Sequence, residues 1–358
     1  MPLIQVPEHR GLRAAILVLM AALVALLAPA CRPVGDGGPR DARPTIEATR
    51  HHARPSGRRP GVVNIDSEQG LNSASAAGTG VVLDAAGLVL TNNHVIQGAT
   101  SITATDTDNG RAYPARIVGY DRTGDIAVIR LSGAAGLKVA AFGPASAVRV
   151  GDPVTAVGNA GGKGGAPTVV TGRVTALEQA VTARDESGGG AERLSGLIET
   201  SAPIRPGDSG GPLLDTRGRI VGINTAASAG FELKRAGAHR GYAIRSDRAL
   251  EIAGRIRRGD ASGGVHIGPT ALLGVKVRGG GGHGALVAEV VPGTPADTAG
   301  ISPGDTIVSL GGRPVGSATA LTDLMLTHHP GDDVRIEWIT PRGVRTAAGL
   351  HLTDGPPQ

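Results

Sequence analysis

From Val62 onward the chain is a succession of short apolar runs, each closed by turn residues. They read G-V-V-L-D, G-L-V-L-T, A-R-I-V-G-Y, D-I-A-V-I-R-L, D-P-V-T-A-V-G, T-G-R-V-T-A-L, L-I-E-T and G-R-I-V-G-I-N. Runs this short and this rich in Val and Ile predict strands, and their spacing predicts an all-β barrel or sandwich. Aromatics are only 2% of the chain, so cores must be built from Val, Ile, Leu and Ala. The 57 Gly and 24 Pro supply the turns. A polar loop is expected over 182–195. One helix is expected from Ser246 to Arg258, capped by Ser246 or Asp247, with Leu250, Ile252, Ala253 and Ile256 on its apolar side. Gly259 to Gly264 reads as a hinge, and a second unit runs from about Ile267 to Leu352. The 358 residues are enough for two domains with real cores.

Charge is concentrated at one end. Residues 1–60 hold nine Arg and four acids, while the remaining chain balances at 27 basic against 27 acidic residues. The high pI therefore belongs to an N-terminal arm and does not indicate nucleic-acid binding; an arm near a membrane surface is the simpler reading. His9, Arg10 and Arg13 precede an unbroken apolar run, Ala14 to Ala28, followed by Ala28-Pro29-Ala30 and the single cysteine, Cys31. One cysteine excludes an intrachain disulfide framework. Residues 1–31 read as an export signal or membrane anchor. Cleavage and release, retention as a single-pass anchor, and lipidation of Cys31 remain open, and all three place the rest of the chain outside the cytoplasm. Residues 32–60, rich in Arg, Pro and Gly, read as a disordered linker.

Between apolar strands lies I-R-P-G-D-S-G-G-P, Ile204 to Pro212. A serine set among three glycines indicates a backbone that must approach something closely. The pentapeptide G-D-S-G-G also satisfies the nucleophile elbow of α/β-hydrolases, but that elbow needs a following helix. Here G-G-P-L-L-D-T-R-G-R-I-V-G-I follows, which reads as a hairpin. Partners are therefore sought upstream. His94 closes a strand in G-L-V-L-T-N-N-H-V-I, and Asp125 opens one in D-I-A-V-I-R-L. Either alone is most often an ordinary turn residue. Together with Ser209 they supply the three groups that activate a hydroxyl: nucleophile, base, and carboxylate to orient the base.

T-N-N-H-V-I, T-G-D-I-A-V-I and P-G-D-S-G-G-P resemble the three catalytic segments of HtrA/Deg-type serine proteases. The likeness continues through G-T-G-V-V-L-D-A-A-G-L-V-L-T-N-N-H-V-I and G-Y-A-I-R-S-D-R-A-L. The resemblance implies a mostly β protein: a chymotrypsin-like double β-barrel protease domain over 61–258, two six-stranded barrels with the site between them, then a PDZ domain over 267–355. It implies Ser209 as nucleophile, His94 as general base, Asp125 as its orienter, and the N–H groups of Gly207 and Ser209 as oxyanion hole. It places Pro203 and Ile204 at the base of the primary specificity pocket, where the lack of an acid favours small or aliphatic side chains. Ile223-Asn224-Thr225-Ala226 resembles the strand that pairs with substrate backbone, making Asn224, Thr225 and Ala226 candidate substrate contacts. Asp208 is a departure, since many relatives carry Asn there; in digestive chymotrypsin-like enzymes the Asp pairs with a newly cleaved N-terminus. Ser201, where relatives often have Asp, is another.

L-L-G-V, with Leu272, Leu273, Gly274 and Val275, resembles the carboxylate-binding loop of PDZ domains. A-L-V-A-E-V-V-P-G-T-P-A-D-T-A-G-I-S-P-G-D-T-I-V-S-L-G-G resembles their central strands and short helix. Leu321, Leu324 and Met325 have helical spacing and either line a groove wall or pack in the core. Gly279 to Gly284 reads as a flexible turn. The expected activity is endoproteolysis of misfolded envelope proteins, with peptide C-termini bound at the PDZ domain, a membrane tether and a homo-oligomer, a trimer by resemblance. No cofactor or metal is expected. A peptide-binding chaperone or stress sensor with minor proteolysis is the other reading.

Overall fold

The computed structural model describes residues 61–358, apart from 73, 185–190, 226–239 and 280–282. The expected export segment and Arg/Pro-rich linker lie outside the described residues.

Six strands build the first barrel: β1 (Val62–Gln69), β2 (Ala74–Val82), β3 (Leu88–Thr91), β4 (Ser101–Asp106), β5 (Ala112–Asp121) and β6 (Ile126–Leu131), with one short helix, α1 (Asn93–Ile96), after β3. Local chemistry sets the turns. In D-A-A-G, between β2 and β3, the Asp84 carboxylate accepts the N–H groups of Ala86 (3.0 Å) and Leu88 (2.9 Å), closing the hairpin. The second barrel is closed by β7 (Pro153–Gly158), β8 (Thr168–Arg184), β9 (Ala191–Thr200), β10 (Pro212–Leu214), β11 (Ile220–Thr225) and β12 (Gly241–Arg245). The two expected six-stranded barrels are thus present. Strands β8 and β9 pair as far as Arg184 and Ala191, so the connection expected over 182–195 is shorter than its polar composition suggests.

Each barrel is filled by aliphatic side chains, Val63, Ile65, Val89 and Ile129 in the first and Val154, Val174, Ile198 and Leu213 in the second. A third cluster joins Val81, Leu90 and Ile126 of the first barrel to Val157, Ile223 and Ile244 of the second. Each such fully buried side chain stabilises the fold by about 1.5–3 kcal/mol. Helix α2 (Ser246–Arg258) seals this seam with Ala249, Ile252, Ala253 and Ile256. Two details differ from expectation. The N-cap is Arg245, without a side-chain cap bond, and the Ser246 hydroxyl instead donates to the Gly143 carbonyl at 3.2 Å. Leu250 faces solvent, 38% exposed.

Gly259 to Gly264 is not a free hinge. Gly259 ends α2 in the left-handed conformation (φ 70°) with its N–H on Ile256. The chain then forms β13 (Val265–Ile267), which pairs antiparallel with residues 119–121 of β5 as an extra strand outside the six.

The C-terminal region adds β14 (Thr270–Leu272), β15 (Val275–Gly279), β16 (Ala285–Val290), α3 (Pro295–Thr298), β17 (Thr306–Leu310), β18 (Arg313–Pro314), α4 (Ala318–Met325), β19 (Asp333–Ile339), β20 (Arg345–His351) and β21 (Thr353–Gly355). The sheet runs β15-β16-β17-β19-β20, with β18 on β17 and a separate β14–β21 pair. Leu321, Leu324 and Met325 are all buried against Trp338, Ile336 and Ile307, so they are core residues. This region is fastened to the first barrel. The His266 ring, 2% exposed, has its nitrogens 2.9 Å from the Leu326 carbonyl and 3.0 Å from the Pro269 carbonyl. Arg122 reaches Asp323 at 3.6 Å, and the Gly98 N–H donates to the Pro357 carbonyl at 2.8 Å. Among the described residues no helix is long and apolar enough to cross a membrane.

Candidate active site

Asp125 follows a tight turn. The Asp121 carboxylate accepts the Thr123 hydroxyl (2.8 Å) and the Gly124 N–H (2.9 Å), and Asp125 then takes φ 49°, a conformation that Asp tolerates better than most residues. The turn delivers its carboxylate to His94, which lies in α1, three residues beyond the end of β3. His94 Nδ1 sits 3.0 and 2.9 Å from the two Asp125 oxygens, and the His94 backbone N–H donates to Oδ1 at 3.1 Å. A carboxylate only accepts, so the proton on this ring belongs to Nδ1 and Nε2 is left as a base. Asp125 is 9% exposed and His94 29%, which leaves the ring accessible above a sheltered carboxylate.

Two more groups hold Asp125, neither assigned this role by the sequence. Asn92 Nδ2 donates to its backbone carbonyl at 2.8 Å. The Thr225 hydroxyl donates to its Oδ2 at 3.1 Å. The expectation for Thr225 concerns substrate backbone; its side chain belongs to the His94–Asp125 pair. Asn224 is fully buried, with Nδ2 donating to the carbonyls of Val157 (3.2 Å) and Pro212 (3.3 Å), so its side chain braces the barrel. Ala226 lies outside the described residues.

Ser209 is brought to the same place by its neighbours. The Gly210 N–H donates to the Asn224 carbonyl (2.8 Å), one residue from Thr225, and the Thr79 N–H donates to the Ser209 carbonyl (2.8 Å). Gly210 (φ 83°) lies so close to the Thr79 carbonyl, the Thr91 hydroxyl and the Asn92 N–H that no side chain fits there. This close approach packs Gly210, the neighbour of Ser209, against Asn92, two residues before His94. Gly207 (φ 96°) is equally constrained, because a Cβ would collide with the Asn159 carbonyl. Its own carbonyl accepts the Thr79 hydroxyl at 2.7 Å, and the preceding Pro206 carbonyl accepts the Gly161 N–H at 2.8 Å. In a trans peptide the N–H points away from the carbonyl, so these bonds fix the direction of the Gly207 N–H. Asp208, between the two, is buried, and burial pushes its carboxyl above the ordinary carboxylate range.

Pro203 and Ile204 are half-buried beside this loop. Ile204 packs so closely on Gly241 that a Cβ there would lie 2.7 Å from its Cδ1. In the C-terminal region, Leu273 and Gly274 are buried while Leu272 and Val275 are partly exposed. The Leu273 carbonyl accepts the Ala296 N–H (3.0 Å) and the Gly274 carbonyl the Val291 N–H (2.8 Å). Strand β15 stands at the sheet edge. Among the described residues no group of His, Cys, Asp and Glu is arranged to hold a metal.

Two closed β-barrels with a His–Asp pair and a glycine-lined serine at their seam, followed by a β-rich unit with an edge strand, define a trypsin-like peptidase fold joined to a PDZ domain. Residues 78–223 match the trypsin-like peptidase domain family and residues 271–340 the PDZ domain family. The chain belongs to the trypsin-like peptidases with a C-terminal PDZ domain, the HtrA/Deg type. It is 38% identical over 301 residues to serine protease PepD of Mycobacterium tuberculosis, covering 79% of this chain and 62% of that protein. It is 36% identical over 277 residues to the periplasmic pH-dependent serine endoprotease DegQ of Escherichia coli, covering 72% of this chain and 55% of that protein. The chain thus spans somewhat over half the length of these curated relatives. The solved HtrA-type protease AlgW with a tripeptide is 29% identical, covering 84% of this chain and 95% of that one, with a TM-score of 0.46.

Proposed function

We propose that this chain is a serine endopeptidase in which Ser209 attacks the peptide carbonyl and His94 Nε2 takes its proton. Asp125 holds the imidazole and stabilises the imidazolium that forms, and the N–H groups of Gly207 and Ser209 receive the oxyanion. The observation that carries this reading is the three-point grip of Asp125 on His94, which fixes the tautomer the reaction needs. Pro203 and Ile204 put no acid at the pocket base, which supports cleavage after Val, Ala or Leu rather than Lys or Arg. The open edge of β15 beside Leu272–Val275 supports capture of peptide C-termini by strand addition.

The protein acts outside the cytoplasm on misfolded envelope proteins, as a membrane-tethered homo-oligomer. The arginine-flanked apolar run and Cys31 support the tether, and the periplasmic relative supports the compartment. The test is digestion of unfolded casein and a peptide library by wild type, Ser209→Ala and Asp125→Asn. Ser209→Ala should abolish cleavage, and Asp125→Asn should lower kcat by about 10⁴. Cleavage that survives Ser209→Ala removes the assignment, and a library profile dominated by basic residues removes the pocket reading.

A further inference from the structure

Asp208 is the one acidic residue of the serine loop, and neither the fold nor the chemistry above gives its side chain a task. The residue is 2% exposed and folds back on its own loop. Its Oδ2 accepts the Arg205 N–H at 2.9 Å, while its own N–H donates to the Arg205 carbonyl at 3.0 Å. Arg205 is therefore tied to Asp208 on both sides of its backbone, closing a ring around Pro206 and Gly207. The other oxygen, Oδ1, points out of the loop to Thr168 Oγ1 at 3.2 Å, at the start of β8. Room for this comes from Gly158 on β7, where a Cβ would lie 2.5 Å from the Asp208 Cα.

The charges around Asp208 are few. Among the described residues Arg205 is the charged group that acts on it, β7 brings Gly158 against it and β8 the Thr168 hydroxyl. The Thr168 hydroxyl has one proton, and the Gly158 carbonyl lies nearer to it, at 2.8 Å. That proton is therefore shared between the Gly158 carbonyl and Asp208 Oδ1, both of which lie within its reach as acceptors. Both carboxyl oxygens are engaged by partners among the described residues.

We propose that Asp208 is a positioning residue whose carboxyl clasps the 205–209 loop to Thr168 on β8, so that Gly207 and Ser209 are held by the chain's own side chains. The catalytic part of this inference rests on Ser209 being the nucleophile. An amide at this position makes the same two bonds without a charge, Oδ1 accepting from Arg205 and Nδ2 donating to Thr168. A methyl makes neither. The carboxyl touches no reacting atom; it acts by fixing the two peptide units whose N–H groups face the oxyanion.

The test compares wild type, Asp208→Asn, Asp208→Ala and Thr168→Val in the full chain. Three quantities are read: amide hydrogen exchange across residues 205–209, the thermal midpoint, and kcat and KM on a short peptide. Asp208→Ala and Thr168→Val should speed exchange in this loop alone. Both should lower kcat about tenfold or more with KM nearly unchanged, the pattern of a lost transition-state contact. Asp208→Asn should restore slow exchange and most of kcat. Wild-type exchange and kcat in Asp208→Ala overturn the proposal, as does an Asn variant as impaired as the Ala one. Exchange that rises throughout the molecule with a fallen midpoint also overturns it, because the role is then general stability. If wild type cleaves no peptide but the exchange pattern holds, the clasp stands and the protease reading fails.

Discussion

Buried carboxyls carry a pH signature, and Asp208 has one with a definite sign. Burial raises its pKa above the ordinary 3.8, outweighing the bonds from Arg205 and Thr168. The folded protein therefore holds this proton more tightly than the unfolded chain. Its contribution to stability is fully present below the ordinary carboxylate value and is lost as pH rises through the raised one. Asp208→Asn removes that loss. Its thermal midpoint should exceed that of wild type at pH 7, and the gap should close as pH falls below about 4. Calorimetry across that range checks it, and a gap independent of pH contradicts it. At this scale the sequence is legible where a residue type is chemically rare in its setting. Ser209 among glycines, and His94 and Asp125 beside apolar strands, stand out for that reason. Thr79, Thr168 and Thr225 do not, because a threonine in a β-strand is ordinary and only the fold shows which carbonyl or carboxylate its hydroxyl meets.

Helix α2 carries the seam between the barrels on a few side chains. Ile252 reaches under the turn that presents Asp125: a Cβ on Gly124 would lie 2.5 Å from its Cδ1. Ile252→Ala should destabilise the protein by about 2–5 kcal/mol in urea unfolding, with a cavity beneath that turn. Leu250→Ala, on the exposed side, should stay within about 0.5 kcal/mol. Equal effects contradict this assignment of faces. The helix itself was readable from its 3.6-residue period, but thirteen residues do not fix the centre of the buried face, and Leu250 falls just outside it. The barrel strands were readable from their Val- and Ile-rich runs. Strand β13 was not, because Val265-His266-Ile267 is too short to carry a period and follows a glycine-rich stretch whose composition is that of a linker. Leu321, Leu324 and Met325 show the same limit: helical spacing gives a common face, not whether that face meets ligand or core.

For the whole molecule, the boundary between the barrels and the PDZ region is set by pairing rather than by glycine content. A chain ending at residue 268 keeps β13 on β5; one ending at residue 258 does not. The longer truncation should stay soluble, unfold in one cooperative transition and retain cleavage of a short peptide. The shorter one should have a lower midpoint and a greater tendency to aggregate, read by light scattering. Identical behaviour would mean that β13 contributes nothing to the first barrel. Strand β6 pairs with one side of β5 along residues 115–121; on the other side β4 covers residues 112–114 and β13 covers residues 119–121. During synthesis, β5 leaves the ribosome well before residues 265–267 exist. Until they arrive, those N–H and carbonyl groups of residues 119–121 that face away from β6 stand open at a sheet edge and can pair with another nascent chain. The free side of β5 is thus covered last, after the second barrel and α2 have been made. A pause in translation before residue 265 leaves an otherwise folded pair of barrels with one adhesive edge.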